Sequence, residues 1–348
     1  MKILITGNLG YVGSELTKIL RNTFPESTLV GYDIGYYSKN VTTNLTVPEI
    51  YLNRQIYGDV REFPEDLLKG FDTVVQLAAI SNDPIGNKFE KVTFEVNHEA
   101  VVNIAKKAKK QGVKNVVFAS SCSVYGFAEE SARTEQSEVG PITAYAKSKV
   151  FAERDLKNLA DDNFKITCLR FATACGMSDR LRLDLVLNDF VAGALASNEI
   201  TILSDGTPWR PLINVRDMAR AIIWAHLRKP EESGKFLIVN TGSNEWNYQI
   251  KELAEKIHHI LPEIKVSINK DAQPDKRSYR VSFDQFKKLA PDFQPGYNLE
   301  TTIKELVAGL KAIDFRDKNF RKSRLMRLNV INELLDKQIL NDKLNLVK

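Results

Sequence analysis

The segment KILITGNLGYVG at residues 2–13 joins a short apolar run to three glycines that are spaced three residues apart. The run Lys2–Thr6 predicts a buried β-strand, and the residues from Tyr11 onward have the apolar periodicity of a helix. Glycines between a strand and a helix allow a tight turn and a close approach of the backbone to a pyrophosphate, which the helix N-terminus binds. This order of strand, glycine turn and helix predicts the first unit of an α/β fold.

The first half of the chain continues to alternate strand and helix patterns, which predicts a doubly wound parallel (Rossmann) sheet. Beyond residue 177 the pattern loosens, and a buried strand at 235–240 is expected to return to the main sheet. We predict a Rossmann domain over 1–177, to which 211–246 returns, and a smaller, partly interleaved C-terminal α/β substrate lobe over 178–310. The other predicted strands are 28–33, 73–77, 115–119 and 165–170, and the later predicted helices are 180–200, 247–262 and 283–290.

A dinucleotide site is predicted at the glycine turn, and its residues are Gly7, Gly10, Tyr11, Val12 and Gly13. Asp33 ends the second predicted strand, where a carboxylate accepts hydrogen bonds from ribose hydroxyls and repels a 2′-phosphate, so NAD is favoured over NADP. Asn97 is either a further cofactor ligand or a satisfied polar group inside its own helix. The ends of two more strands are predicted to contact the cofactor, through Asp59 and Val60 and through Leu77, Ala78 and Ala79.

Tyr145 and Lys149 lie four residues apart, so on a helix their side chains project from one face. The pKa of a free tyrosine is near ~10, and a neighbouring ammonium lowers it toward a value suited to proton transfer at neutral pH. Pairs with this spacing also occur on ordinary helix surfaces. Ser121 follows a predicted strand and, taken alone, could be a buried strand-end hydroxyl.

The composition, 43% hydrophobic and 27% charged, is typical of a globular protein. No apolar run approaches the ~20 residues that a membrane span needs, and the strand pattern at 2–6 argues against a secretory signal. Three cysteines without metal-ligand spacing predict free thiols, no metal site and a cytoplasmic location.

The net charge of +5 is concentrated in residues 311–348, which hold ten Lys/Arg and five Asp/Glu, so the preceding chain is neutral. This distribution argues against nucleic-acid binding. An apolar stripe predicts a basic amphipathic C-terminal helical tail that packs on the body or on a partner subunit, with binding of an acidic surface as the alternative. The stripe consists of Leu325, Leu328, Ile331, Leu334 and Leu335.

Taken together, these motifs resemble the extended short-chain dehydrogenases/reductases that act on nucleotide sugars, the epimerase/dehydratase group. The resemblance covers roughly residues 1–310 and leaves the tail outside it. Besides the glycine turn and Tyr145-x-x-x-Lys149, it is carried by the segments at 58–60, 77–79, 120–126, 209–217 and 275–279.

The resemblance implies that Tyr145 removes the proton of a substrate hydroxyl while hydride passes to the nicotinamide, and that Ser121 hydrogen-bonds this hydroxyl. It implies that Lys149 holds the nicotinamide ribose and lowers the pKa of the tyrosine. Arg210 and Arg277 match the arginines that bind the diphosphate of a nucleoside-diphosphate sugar, to which guanidiniums donate in a bidentate manner. The other residues that are expected at the cofactor or substrate are Phe171, Ser123, Thr173, Asp275 and, in a polar loop that could instead be a solvated turn, Ser81.

The same resemblance bears on the reaction. Relatives that dehydrate a hexose carry an Asp-Glu pair where this chain has Cys122-Ser123, and a serine with a thiol of pKa near ~8.5 is a poor base and acid for that chemistry. Relatives that epimerise next to the ketone carry a cysteine at the position of Ser123, so Cys122 is expected to be a packing residue. Thr173 stands where relatives usually have asparagine.

We therefore predict NAD-dependent oxidoreduction at C4 of a nucleoside-diphosphate sugar, by a 4-epimerase that acts through a 4-keto intermediate. The first alternative is a one-way C4 dehydrogenase or ketoreductase for an unusual sugar, followed by a 4,6-dehydratase and then by a non-catalytic NAD-binding protein. Relatives commonly dimerise through the helices around 100–110 and 144–159, so a homodimer is expected.

Overall fold

The computed structural model describes residues 1–43, 46–128, 131–269 and 277–347. The strands, numbered in chain order, are β1 (Lys2–Thr6), β2 (Thr28–Asp33), β3 (Arg54–Tyr57), β4 (Thr73–Gln76), β5 (Asn115–Ser121), β6 (Lys165–Phe171), β7 (Thr173–Cys175), β8 (Glu199–Ile202), β9 (Trp209–Asn214), β10 (Phe236–Thr241), β11 (Asn247–Gln249) and β12 (Lys265–Ile268). The α-helices are α1 (Tyr11–Thr23), α2 (Asp83–Lys88), α3 (Glu90–Phe94), α4 (Ala100–Lys110), α5 (Ala144–Lys157), α6 (Val186–Ser197), α7 (Val215–Leu227), α8 (Pro230–Ser233), α9 (Ile250–Ile260), α10 (Asp284–Leu289), α11 (Leu299–Ala312) and α12 (Arg327–Asp336).

Seven strands form a parallel sheet in the order β3-β2-β1-β4-β5-β6-β10. Ile3 and Ile5 of β1 point to the side covered by α1 and α7, whereas Leu4 points to the side covered by α4 and α5. Side chains of a strand alternate between its faces, and helices cover both faces of this sheet, so apolar residues of its central strands are buried on both faces. The fold is the predicted doubly wound Rossmann sheet.

The structure confirms the predicted strands of the first half to within a residue or two at their ends. It also confirms the return of the later segment, because β10 pairs in parallel with β6 along its whole length. The sequence missed β3, an edge strand of four residues that show no alternation of buried and exposed side chains. The helix predicted over 180–200 begins only at Val186, because the residues before it form an extended and irregular segment. The domain boundaries at 177 and 310 remain predictions.

A second lobe has its own apolar core, to which α6, α9 and α11 contribute most of the buried side chains. Two small sheets belong to this region, one in the order β11-β9-β7 and one that pairs β12 with β8. The strand β7 follows β6 after one residue, so the lobe is joined directly to the carboxyl end of the main sheet.

The tail packs on the body of the same chain, as the first of the sequence alternatives predicted. Ile331 of α12 is fully buried against Ile80, Ile85 and Val92. Of the other residues of the predicted stripe, Leu328, Leu334 and Leu335 pack against this cluster, whereas Leu325 packs against the core of the second lobe. Within the described tail, residues 327–336 form α12, residues 311–312 are the end of α11, and the rest is a short 3-10 helix, turns and irregular backbone. Within the described residues, no helix combines the length and the hydrophobicity that crossing a membrane requires.

Candidate active site

A cleft of about 780 Å³ lies at the carboxyl ends of β1, β4, β5 and β6, beside the point at which the strand order reverses. Ligands of doubly wound sheets bind in this position. Apart from Asn97 and Asp275, all the residues predicted for the site line the cleft: Gly7, Gly10, Tyr11, Val12, Gly13, Asp33, Asp59, Val60, Leu77, Ala78, Ala79, Ser81, Ser121, Ser123, Tyr145, Lys149, Phe171, Thr173, Arg210 and Arg277. Asp275 lies outside the residues that the structure describes.

The glycine turn leaves no room for side chains at two of its positions. Gly7 has a φ of 76°, and a Cβ on it would lie 2.4 Å from the amide nitrogen of Ala78. A Cβ on Gly13 would lie 2.5 Å from the Cα atom of Asn8. Gly10 precedes α1 and offers no side-chain cap, so the first amides of the helix are open to a ligand. This turn fits a pyrophosphate, whose charge the positive end of the helix favours.

Asp33 lies at the end of β2, beside this turn. One carboxylate oxygen accepts from the amide of Leu9 at 3.1 Å and the other accepts from Gly35 at 2.8 Å. Burial raises the pKa of Asp33, and these two hydrogen bonds oppose the rise. Each oxygen keeps a second lone pair, so the carboxylate can also accept from ribose hydroxyls. The Asp59 carboxylate is instead held by Arg61, at 2.5 Å.

Asn97 does not face the cleft, which corrects its prediction as a cofactor ligand. Its carboxamide oxygen accepts from the amide of Ile80 at 2.8 Å, and its nitrogen donates to the Ile80 carbonyl at 3.0 Å and to the Ser148 hydroxyl at 3.2 Å. The residue is fully buried, so the alternative of a satisfied polar group holds. Asn97 fixes the loop that lines the cleft rather than binding a ligand itself.

Tyr145 and Lys149 lie on one face of α5, whose first turn is capped by the Thr143 hydroxyl. The Lys149 ammonium donates to the carbonyl of Ala119 at 2.7 Å and lies 5.5 Å from the centre of the Tyr145 ring. Ser121 ends β5, where its hydroxyl accepts from the amide of Ser123 at 3.2 Å. The structure thus brings the predicted trio together at the floor of the cleft.

The pKa of Tyr145 differs from the sequence prediction. Burial raises the pKa of Tyr145 to about 12, and a hydrogen bond with Ser121 only partly opposes this. Burial lowers the pKa of Lys149 to about 7, against the attraction of Glu153. The expected lowering of the tyrosine pKa by Lys149 is therefore not found in this state, because removal of both groups from water outweighs their proximity. An additional positive charge in the cleft would favour the phenolate.

The residues predicted to bind the substrate diphosphate and sugar also line the cleft. The Arg277 guanidinium pairs with Asp83, at the start of α2, and Arg210 donates to the carbonyl of Arg277. The Ser123 hydroxyl is buried and has no hydrogen-bond partner among the described residues. Thr173 opens β7 at the junction with the second lobe. Two guanidiniums and a free hydroxyl can bind the phosphates and hydroxyls of a nucleotide sugar.

Cys122 lies beneath this site. The side chain is 1% exposed, and its sulfur donates to the carbonyl of Arg170 at 3.1 Å. Burial raises the pKa of the thiol well above its usual value. The residue packs in the core, as the sequence predicted, and supplies no thiolate to the cleft.

Sequence reasoning missed several charged residues of the cleft. Arg182 donates to the Ser81 hydroxyl at 3.2 Å and pairs with Asp184 at 2.9 Å. The tail adds Arg321 and Arg327 to the lining. The alternation of arginine and leucine in 180–183 indicates buried charge. This indication was not used because the segment was predicted to be helical.

The cleft fits the dinucleotide on grounds that are independent of the motif. A turn that excludes Cβ atoms adjoins a helix end without a side-chain cap, and the buried guanidinium of Arg327, which lines the cleft, keeps one nitrogen without a hydrogen-bond partner among the described residues. Buried donors of this kind are rare unless a ligand satisfies them. The turn, Asp33 and Lys149 are the groups that would hold NAD.

Comparison with known proteins gives a consistent result. A sequence model of the NAD dependent epimerase/dehydratase family matches residues 3–242. The UDP-glucose 4-epimerase of Corynebacterium glutamicum is 29% identical over 279 residues, which are 75% of this chain and 80% of that protein. A UDP-N-acetyl-alpha-D-glucosaminuronate decarboxylase of Bacillus cytotoxicus is 24% identical over 90% of this chain and 98% of its own.

Among solved structures, the UDP-glucuronic acid 4-epimerase of Bacillus cereus in complex with UDP-glucuronic acid and NAD has the same fold. The TM-score is 0.75 at 22% identity, over 90% of this chain and 100% of that one. With its Rossmann sheet, its glycine turn and a family match over more than half of its length, the chain belongs to the NAD dependent epimerase/dehydratase family and is an enzyme that uses NAD.

Proposed function

We propose that this enzyme is a 4-epimerase of a nucleoside-diphosphate sugar and acts through a 4-keto intermediate. The observation that carries the proposal is the grouping of Ser121, Tyr145 and Lys149 in one cleft with the glycine turn and with Arg210. The similarity to a UDP-glucose 4-epimerase supports the same reaction and favours UDP-hexoses as the first substrates to test.

In this proposal, Tyr145 accepts the proton of the C4 hydroxyl and later returns it, while Ser121 holds the hydroxyl by a hydrogen bond. When bound, NAD takes up and gives back a hydride and adds a positive charge to the cleft. Because burial raises the pKa of Tyr145 to about 12, a positive charge is needed for this tyrosine to act as a base near neutral pH. Lys149 contributes to that charge only while it is protonated.

The composition of the cleft argues against dehydration. Loss of water across C5 and C6 needs a base for a C–H proton and an acid for the leaving hydroxyl. At the two positions that carry carboxylates in hexose-dehydrating relatives, this chain has a core thiol, Cys122, and the hydroxyl of Ser123. Neither group ionises readily near neutral pH, so oxidation and reduction at C4 need the least additional chemistry.

The test is incubation of the purified enzyme with UDP-, dTDP-, CDP- and GDP-hexoses in the absence of added NAD. An epimerase converts the C4 epimers on retained cofactor, to the same equilibrium mixture from either side. Accumulation of a 4-keto sugar or of NADH would instead identify a one-way dehydrogenase, and a product lighter by one water would identify a dehydratase. Mass spectrometry and NMR of the sugar distinguish these results.

We also propose that the enzyme is a cytoplasmic homodimer that associates through α4 and α5. Phe151 of α5 is 37% exposed, and it stacks with Phe94 and under the guanidinium of Arg154 on the surface. An exposed aromatic group on a helix face is typical of a subunit interface. Light scattering should give twice the chain mass, and Phe151→Glu should give the monomer; a monomeric unmodified enzyme would contradict this assembly.

A further inference from the structure

The C-terminal tail, which lies outside the family match at 3–242, contributes residues to the lining of the cleft. At one end Arg321 forms a two-bond ion pair with Asp189 of α6, at 2.9 and 2.7 Å. At the other end Arg61 donates to the carbonyl of Lys343 at 2.8 Å, beside the Asp59 carboxylate that it also holds. Between these anchors, Met326 and Arg327 line the cleft itself.

Arg327 is the buried centre of this contact. The side chain is 2% exposed, and its guanidinium stacks on the ring of Tyr37, 4.0 Å from the ring centre. One terminal nitrogen donates to the carbonyl of Arg180 at 3.3 Å, whereas the other, Nη1, has no partner among the described residues. Stacking fixes the plane of the guanidinium and leaves this edge available for an in-plane acceptor.

The charges around Arg327 do not balance. Arg180 is 1% exposed and pairs with Glu49 at 2.6 Å, and Arg182 pairs with Asp184. No ion pair of Arg327 with a carboxylate is found among the described residues. An unpaired buried charge is costly unless an ionic partner arrives, so this arrangement is that of a site for an anion.

We propose that Arg327 binds a phosphate of the NAD pyrophosphate, so that the C-terminal tail forms one wall of the cofactor site. The inference deepens the proposed function, because it rests on NAD as the cofactor that the epimerase retains through its cycle.

The position of Arg327 in the cleft favours the NAD pyrophosphate over the 2′-phosphate of NADP and over the diphosphate of a sugar nucleotide. Arg327 stacks on Tyr37, which follows Asp33 by four residues, and all three residues line the cleft, so Arg327 belongs to the part of the site that Asp33 borders. A 2′-phosphate would be repelled by the Asp33 carboxylate. The diphosphate of a sugar nucleotide is expected at two other arginines of the lining, Arg210 and Arg277.

The test compares Arg327→Gln with the matched control Arg324→Gln. Arg324 belongs to the same tail, but its side chain is 45% exposed and pairs with Glu333 at the surface. NAD is first quantified in each protein as purified, after denaturation. Affinities for NAD, ADP-ribose, NADP and UDP are then measured by calorimetry on protein freed of dinucleotide with charcoal.

Loss of one charge-assisted contact in Arg327→Gln should lower the affinities for NAD and ADP-ribose by about 10- to 100-fold. It should also reduce the amount of NAD that the purified protein retains. UDP should bind unchanged, and Arg324→Gln should alter each affinity by no more than about twofold. Unchanged NAD affinity would overturn the inference. So would a loss confined to UDP or a loss confined to NADP, since these would assign Arg327 to the sugar nucleotide or to a 2′-phosphate.

A purely structural role of Arg327 is distinguished by thermal unfolding. If Arg327 serves the ligand, Arg327→Gln leaves the dinucleotide-free protein as stable as before, or more stable, and reduces the rise in Tm on addition of NAD. A lower Tm of the free protein with an unchanged rise on NAD addition would refute the proposal. These measurements need no turnover, so an enzyme that is inactive on every hexose tested would reject the proposed function and leave this inference standing.

Discussion

Replacing Lys149 with methionine should stabilise the dinucleotide-free protein at pH 7 while it abolishes turnover. Lys149 is 3% exposed, and burial lowers its pKa from 10.5 to about 7. Each unit of this difference corresponds to ~1.4 kcal/mol, so the folded state loses about 4–5 kcal/mol by burying the charged form. The methionine variant avoids this cost but also loses the hydrogen bond to Ala119. We therefore expect the free energy of unfolding of Lys149→Met to exceed that of the unmodified protein by about 2–4 kcal/mol at pH 7.

The pH dependence of this difference is the stronger prediction. Unfolded Lys149 keeps its proton up to a pKa of 10.5, whereas folded Lys149 loses it above about 7. Between these values the unfolded state binds more protons, so the stability of the unmodified protein rises with pH, while the methionine variant lacks this contribution. The advantage of Lys149→Met should therefore shrink by ~1.4 kcal/mol per pH unit from pH 7 to pH 10.

The assay is urea unfolding of both proteins at pH 7, 8 and 9, with Lys147→Met as the control. Lys147 lies on the same helix but is exposed, so its substitution should change the free energy of unfolding by less than ~0.5 kcal/mol at each pH. A difference between Lys149→Met and the unmodified protein that stays constant across this pH range would refute the reasoning. It would mean that Lys149 remains an ammonium in the folded protein.

Three further substitutions test other parts of the site. Tyr145→Phe should lower turnover by at least ~100-fold while the protein retains its NAD, and unchanged turnover would place the proton acceptor elsewhere. Asp33→Asn should lower the affinity for NAD by about 10-fold and reduce the ratio of the NAD affinity to the NADP affinity, as measured by calorimetry. An unaltered ratio of the two affinities would contradict the role of this carboxylate. Glu153→Gln leaves the Arg170 guanidinium, 5% exposed, without its ionic partner at 2.7 Å and should cost about 3–5 kcal/mol in the free energy of unfolding. A loss below ~1 kcal/mol in urea unfolding would show that this buried pair contributes little.

Local patterns were sufficient for much of the fold, and most residues that they predict for the cofactor line one cleft. The strands at 2–6 and 28–33 were predictable because apolar runs and glycine turns act over a few residues. Gly7 and Gly13 were assigned correctly to the turn for the same reason. The edge strand at 54–57 was missed because its pairing with β2 is not encoded in any alternation of its own residues.

The sequence did not predict contacts between residues that are distant in the chain. Nothing local to Asn97 indicates that its carboxamide satisfies the backbone of Ile80 rather than a ligand. Arg182 and Arg327 are far apart in the chain, yet both line one cleft with Asp33. The packing of the tail on the body brings Arg327 there, whereas a charged tail residue considered in isolation is expected at a solvated surface.

The sequence by itself determined the Rossmann sheet, the glycine turn and the shared helix face of Tyr145 and Lys149, since each depends on spacing along one or two elements. The tertiary structure alone decided the protonation of that pair, with a pKa of about 12 for the tyrosine and about 7 for the lysine. The physical reason is that spacing sets which groups meet, whereas burial, which depends on the whole chain, sets the free energy of their charged forms.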